Sequence, residues 1–160
     1  MSVSAWRGES VDDDSGSRLA DLYRREWGGL LRVAYLLTNS TSVAEEIVQD
    51  AFVSLQSTST VVANPGAYLR TSVVNACRSF HRHRAVVERS PIRRVDAVVA
   101  EHDELFDALS ALSWRQQAVL VLRYHVDLPE AAIADILHCR PSTVRSITKR
   151  ALANLRKALS

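Results

Sequence analysis

The chain has 160 residues, 47% of them hydrophobic, with only five glycines and four prolines, so it can form packed cores and favours helices over a turn-rich sheet protein. It contains no apolar stretch of about 18 residues and no basic-then-apolar start, which predicts a cytoplasmic protein without membrane insertion. Cys77 and Cys139 are too few for a disulfide framework, and we expect them to be reduced, buried thiols.

The net charge is only +2, but its distribution along the chain is uneven. Residues 1–69 carry five basic and nine acidic side chains, whereas residues 70–94 carry seven and one. The pattern repeats, because residues 95–135 carry two basic and eight acidic side chains and residues 136–160 carry six and none. A single basic block is often only a solvated surface. Two such blocks, each after an acidic segment with apolar patterning, indicate two separate lobes that bind polyanions.

The chain is predicted to begin with a tail followed by a long helix. Residues 1–17 are rich in Ser, Asp and Gly, lack apolar periodicity and are expected to be disordered. From about Arg18 to Leu37, apolar residues recur at three- and four-residue spacing, which predicts an amphipathic helix. Residues 39–42 interrupt this pattern.

A second helix is predicted from Ser42, as its N-cap, through about Leu55, because Glu45 follows three residues later and completes a capping box. Its outer face is acidic, and no Lys or Arg occurs between Arg32 and Arg70 to neutralise it. An unpaired acidic face of this kind suits docking on a basic protein surface. We call it the acidic face, and its members are Glu45, Glu46, Gln49 and Asp50.

The turn sequence Asn64-Pro65-Gly66 predicts a third helix that begins near Ala67. One side of this helix is apolar and should be buried, and Tyr68 is expected to pack with it in the core. The opposite side is polar and basic. Residues 85–102 contain Pro91 and little periodicity, so they are interpreted as a linker between two domains.

Beyond the linker, Ser113 is the predicted N-cap of a helix. A short helix near Pro129–Leu137, a tight connection at His138–Pro141 and a final helix from about Ser142 to Leu159 follow. Helix, short turn and helix is the helix-turn-helix pattern, in which the second helix lies in the major groove of DNA.

Three sequence motifs occur in a fixed order along the chain. They are VAEEIVQDAF at 43–52, NPGAYLRT at 64–71, and LRY at 122–124 with LPEAAIA at 128–134 and TVRS at 143–146. Together they resemble the extracytoplasmic-function sigma factors of bacterial RNA polymerase, and the resemblance extends over about residues 18–159.

The resemblance implies an all-α fold of two small helical domains joined by a flexible linker, the second with a helix-turn-helix. A region 2-like domain at 18–84 would bind polymerase and would recognise and melt the −10 promoter element. After the linker at 85–102, a region 4-like domain at 103–160 would recognise the −35 element. The implied partners are promoter DNA and core RNA polymerase, through the clamp helices of its largest subunit and its flap region. The resemblance leaves open whether an anti-sigma factor is a third partner.

The resemblance also implies residue roles. Polymerase binding falls on the acidic face. Contact with −10 DNA falls on Asn64, Arg70, Asn75, Arg78 and Arg82. Contact with −35 DNA falls on Ser142, Thr143, Arg145, Ser146, Lys149 and Arg150. His81, His83 and Arg84 are expected to face phosphates, and loop 56–66 is expected to hold a flipped-out base.

Three positions depart from the family pattern. His138 stands where Gly is common, so a left-handed backbone there would be less comfortable. Pro129 stands where a Ser or Thr cap is usual, which a first helical turn tolerates. Ile147-Thr148 replaces a common Arg-Leu pair, which removes an expected DNA-contacting cation and puts a hydroxyl on the apolar stripe.

Two other functions fit parts of the pattern, a stand-alone helix-turn-helix transcriptional regulator and a helical adaptor that binds only protein. A regulator needs neither the acidic face nor the first basic block, and an adaptor needs no helix-turn-helix. The sequence has no glycine-rich phosphate loop and no motif that places Ser, His and Asp together, so we expect no enzyme and no cofactor. Cys77 and His81 are spaced i, i+4 but lack a second ligand pair, so we expect no metal site.

Overall fold

A computed structural model of the chain describes residues 11–88 and 103–160. All regular elements in these residues are helical, which confirms the predicted all-α class. The helices form two units, one on each side of residues 89–102. Residues 1–10 of the tail predicted at 1–17, and residues 89–102 of the linker predicted at 85–102, lie outside the described residues.

The N-terminal unit has three helices, α1 (Val11–Thr38), α2 (Thr41–Ser57) and α3 (Pro65–Glu88). Two boundaries differ from the prediction, because residues 11–17 belong to α1 rather than to a tail, and residues 85–88 continue α3. Near the start of α1, Arg18 pairs with Asp14 at 2.8 Å across one helical turn.

The N-cap of α2 is Ser40, not Ser42 as predicted. Ser40 has an extended backbone with φ −146°, and its side chain accepts a hydrogen bond from the Val43 amide at 3.3 Å. Ser42 lies in the first turn, with its hydroxyl 3.3 Å from that of Ser40. Ser40 and Ser42 have the same side chain and could each cap a helix. Ser40 is the cap because its backbone is extended, whereas Ser42 already lies within α2.

The core of the N-terminal unit is formed where the three helices meet. Leu37, Val48, Leu69 and Val73 are almost fully buried there. Cys77 is buried beside them, and burial raises the pKa of its thiol to about 12, so this cysteine is a protonated core residue.

The C-terminal unit contains α4 (Glu104–Ser110), α5 (Trp114–Leu120), a π-helical turn (Val121–His125), α6 (Glu130–Leu137) and α7 (Pro141–Ala158). The predicted cap of α5 is confirmed, because the Ser113 side chain accepts a hydrogen bond from the Gln116 amide. α6 and α7 form the helix-turn-helix.

The departures from the family pattern are accommodated inside the helix-turn-helix. His138 ends α6 in the left-handed conformation at φ 52°. Ile147 is buried, so this position faces the core and not DNA. Thr148 is buried too, and its hydroxyl donates to the Val144 carbonyl at 2.8 Å. The hydroxyl on the apolar stripe therefore has a partner within its own helix.

The two units share one buried apolar cluster, and aromatic side chains add to the contact between them. Tyr35 of α1 stacks on Phe106 of α4 with ring centroids 5.4 Å apart, and His81 of α3 stacks on Trp114 of α5 at 5.9 Å. A ring nitrogen of His81 also forms a hydrogen bond with the Leu37 carbonyl. The prediction that His81 faces phosphate is therefore wrong, since tertiary packing turns its side chain inward.

Within residues 11–88 and 103–160, no helix is both long enough and apolar enough to cross a membrane.

Candidate nucleic-acid interface

The acidic face lies on the solvent side of α2. Glu45, Glu46, Gln49 and Asp50 are all exposed, and none has a side-chain hydrogen bond or ion pair with another described residue. The opposite side of the helix is buried in the core. The orientation of α2 is therefore fixed, and its carboxylates face solvent without a neutralising partner among the described residues.

The start of α3 is fixed by Asn64. Its side-chain oxygen accepts a hydrogen bond from the Ala67 amide at 3.0 Å, and its carbonyl accepts one from the Tyr68 amide at 3.0 Å. Asn64 is exposed, but it caps a helix, so the structure gives it a local role besides the predicted DNA contact. A Cβ at Gly66 would lie 3.3 Å from Glu26 Oε1, so a larger residue would crowd this turn.

Tyr68 lies at the junction of α2 and α3. It is half-buried rather than in the core, and its hydroxyl is 2.9 Å from the Ser54 hydroxyl. Hydrogen bonds from Ser54 and Thr58 lower the pKa of Tyr68. The aromatic side chain nearest to loop 56–66 is thus held by two polar contacts at the surface.

The predicted −10 residues of α3 divide into two groups. Asn75, Arg78 and Arg82 are exposed, and at about 100° per residue they share one sector of the helix, which we call the α3 stripe. Arg70 is half-buried and lies outside that sector. The structure thus brings three of the candidates together on α3 and separates Arg70 from them.

The outer face of α7 carries the predicted −35 residues. Thr143 is half-buried, and the others are exposed: Ser142, Arg145, Ser146, Lys149 and Arg150. A cleft of about 220 Å³ runs from the start of α5 to this face, and its lining includes Arg115, Thr143 and Arg150. Arg115 adds an exposed cation beside α7 that sequence analysis missed, because it lies on a different helix.

Arg145 is the one candidate on α7 with an ion-pair partner among the described residues. Its guanidinium donates to both carboxylate oxygens of Glu130, at 3.4 Å from Nε and 2.9 Å from Nη2. Arg123 donates to the same carboxylate at 3.2 Å. Hydrogen bonds from Arg145 and Arg123 lower the pKa of Glu130, and the Glu130 carboxylate raises that of Arg145. Sequence patterns gave no signal for this cluster, since its members lie on three elements.

In the part of the chain that the structure describes, no group of three or more His, Cys, Asp or Glu side chains is placed to hold a metal ion.

Comparison with known proteins matches the two helical units to two different family models. Residues 22–86 match sigma-70 region 2, and residues 102–155 match sigma-70, region 4. The RNA polymerase sigma-E factor of Streptomyces avermitilis is 30% identical over 146 residues, which cover 85% of this chain and 82% of that protein. The chain belongs to the extracytoplasmic-function sigma factors.

Other members of this family are also similar. The ECF RNA polymerase sigma factor SigJ of Mycobacterium tuberculosis is 32% identical over 140 residues, which cover 76% of this chain but only 45% of that relative. In the solved complex of the sigma factor RpoE with the anti-sigma factor NepR from Bartonella quintana, the sigma factor has a similar fold. The TM-score is 0.67 at 24% identity, over 93% of this chain and 98% of that one.

The sigma factor acts with core RNA polymerase and promoter DNA in transcription initiation. The stand-alone regulator is not favoured, because the N-terminal unit matches sigma-70 region 2 in addition to the helix-turn-helix of the C-terminal unit.

Proposed function

We propose that this sigma factor divides its function among three helical surfaces. The acidic face of α2 docks on the clamp helices of the largest polymerase subunit. The α3 stripe contacts the −10 element during melting, and the outer face of α7 binds the −35 element as duplex. The observation that carries the proposal is the exposed, unpaired acidic face of α2, which is on a different helix from both basic surfaces.

The charges support this division. DNA carries a dense negative charge, so a carboxylate-rich helix is repelled by it and suits a basic protein surface instead. The α3 stripe and the outer face of α7 contain cations and no carboxylate, which suits phosphate contact. Asn75 can donate and accept hydrogen bonds, so it can contact a base edge in a melted strand.

The domain boundaries are part of the proposal. A region 2-like domain would end with α3, and a region 4-like domain would begin near Asp103 and include the flap-binding surface. The family matches at 22–86 and 102–155 support boundaries close to those expected from the sequence.

The proposal places the chain in the cytoplasm with its polymerase and assigns it no covalent chemistry of its own. It also includes an anti-sigma factor that would compete with core polymerase for the chain. Its test is whether a candidate anti-sigma protein, added to the purified chain, displaces core polymerase in a dose-dependent manner.

The central test is binding to purified core polymerase. Reversing charge at Glu46 and Asp50 together, as Glu46→Lys with Asp50→Lys, should abolish co-purification. Helicity and melting should hardly change, because exposed substitutions away from special sites alter folding stability by less than about 0.5 kcal/mol.

The matched control reverses two exposed acids elsewhere, Asp107→Lys with Asp135→Lys. Neither side chain has a partner among the described residues, so the net charge changes equally without touching α2. The control should retain polymerase binding. If the variant of Glu46 and Asp50 bound polymerase as well as this control, α2 would not be the docking helix.

A further inference from the structure

Glu130, the first residue of α6, lies between an arginine of the π-helical turn and an arginine of α7. Its Oε1 accepts hydrogen bonds from Arg123 Nη1 and Arg145 Nε, and its Oε2 accepts one from Arg145 Nη2 at 2.9 Å. The Glu130 side chain is 25% exposed, whereas that of Arg145 is 73% exposed. The carboxylate is thus set into the helix-turn-helix, while the guanidinium it holds stands in solvent on the outer face of α7.

We infer that Glu130 is a positioning residue that holds Arg145 to recognise a guanine of the −35 element, so that Arg145 contacts a base rather than a phosphate. This inference rests on the proposed function of α7. It assigns a specificity role to a side chain that is itself negative and is therefore unsuited to contact DNA phosphates.

The geometry of the guanidinium supports a base contact. Glu130 occupies the edge formed by Nε and Nη2, which leaves the edge formed by Nη1 and Nη2 with two parallel N–H donors. Two parallel donors match the O6 and N7 acceptors of guanine in the major groove. One guanidinium can therefore bind the carboxylate and a guanine at the same time.

The second arginine keeps the carboxylate itself in place. Arg123 is 35% exposed and donates to Glu130 from the π-helical turn, so three elements fix one orientation. Exposed ion pairs contribute little to folding stability. What this cluster supplies is orientation, and a side chain ordered before DNA binds loses less entropy on binding.

The neighbouring cations of α7 are held differently. Within the described residues Lys149 has no side-chain partner, and Arg150 donates only to the Ser146 carbonyl of its own helix, at 3.5 Å. Cations without a neutralising carboxylate suit phosphates, whose contacts carry no sequence information. Arg145 differs from them because its charge is partly offset by Glu130, which weakens a purely electrostatic contact.

The test uses the full chain in complex with core polymerase and a pool of duplex promoters with a randomised −35 segment, sequenced before and after selection. Arg145→Ala should lose the preference for one G·C pair by about tenfold. Glu130→Gln should remove most of the same preference at the same pair. Combined with Arg145→Ala, it should cause no further loss. Arg145→Lys should keep the salt dependence of binding but lose the preference, because Lys lacks the paired donors.

Asp135→Asn is the matched control, since it removes one carboxylate from the same helix without breaking an ion pair. It should leave the preference unchanged. The positioning role is overturned if Glu130→Gln retains the preference, or if it lowers selection equally at every position. A wild-type complex with no preference anywhere in the segment would overturn the proposed −35 function and the positioning role together.

Discussion

His81 of α3 and Trp114 of α5 stack with ring centroids 5.9 Å apart, and this contact joins the two helical units. The hydrogen bond between His81 and the Leu37 carbonyl holds the imidazole from its other side. The stack of His81 on Trp114 and that of Tyr35 on Phe106 together form an aromatic contact between two units that the sequence predicts to be separate.

We expect the two units to stay together after the chain between them is cut. Limited proteolysis should cleave within residues 89–102, where the sequence has a proline and little periodicity. The fragments should co-elute in gel filtration, because one buried apolar cluster includes residues of both units, and aromatic pairs add about 0.5–1.5 kcal/mol each beyond their buried area. Phe106→Ala with Trp114→Ala should separate them.

Tyr23→Ala is the control for that experiment. Tyr23 stacks on Trp27 and packs on Phe52 within the N-terminal unit, so an aromatic ring is lost away from the contact between units. Its fragments should still co-elute. Separation of the wild-type fragments would show that the contact is too weak to hold the units together.

The two basic surfaces should behave differently in DNA assays. Lys149→Ala or Arg150→Ala should weaken binding to duplex −35 DNA and reduce its salt dependence by about one phosphate contact. Asn75→Ala or Arg78→Ala should leave duplex −35 binding unchanged. These two should instead impair transcription from a closed promoter more than from a template with a pre-melted bubble. Equal weakening of duplex binding by all four would indicate one general electrostatic surface.

The left-handed conformation of His138 should limit folding stability. A glycine accepts φ 52° without the Cβ penalty, so His138→Gly should stabilise the chain by up to about 1 kcal/mol despite the extra freedom of the unfolded state. Asn39 has a similar φ of 56°, but Asn tolerates this region better, so Asn39→Gly should gain less. Thermal melting of both variants measures the difference, and an equal or larger gain at Asn39 would contradict this explanation.

The cluster around Glu130 should stabilise the fold at neutral pH and lose that stabilisation in acid. Hydrogen bonds from Arg145 and Arg123 lower the pKa of Glu130 from its ordinary value of 4.5. A lowered pKa in the folded state means that the stabilisation is complete above about pH 4.5 and is lost as the pH falls through the lowered value. Melting of wild type and Glu130→Gln should therefore differ by a constant amount above pH 5 and should converge in more acidic buffer. Carboxyl NMR should show the Glu130 pKa rising toward 4.5 in Arg145→Ala.

Sequence analysis located the helices and the exposed faces because both follow from local periodicity. The acidic face and the outer face of α7 needed only the spacing of apolar residues to be placed on the solvent side. Contacts between distant elements could not be predicted in this way. His81 looked like part of a basic run, but Trp114, 33 positions further along the chain, draws it inward.

The same limit explains the remaining differences. Nothing in the spacing of Arg123, Glu130 and Arg145 indicates that they meet, because they do so only once α6 and α7 have packed. The cap of α2 was misplaced by two residues because Ser40 and Ser42 have the same chemistry. The early start of α1 was missed because its first turns carry no apolar stripe.

The hydrogen bond between Ser54 and Tyr68 has a mechanical consequence for promoter opening. It joins α2, one turn beyond Asp50, to the first turn of α3, and it adds a polar contact to the apolar core that already packs the two helices together. Under the proposed function, seating α2 on polymerase therefore aims the α3 stripe before any DNA arrives. The orientation of the DNA-melting surface relative to the enzyme would thus be set within this chain, by the packing of α2 on α3 together with the contact between Ser54 and Tyr68.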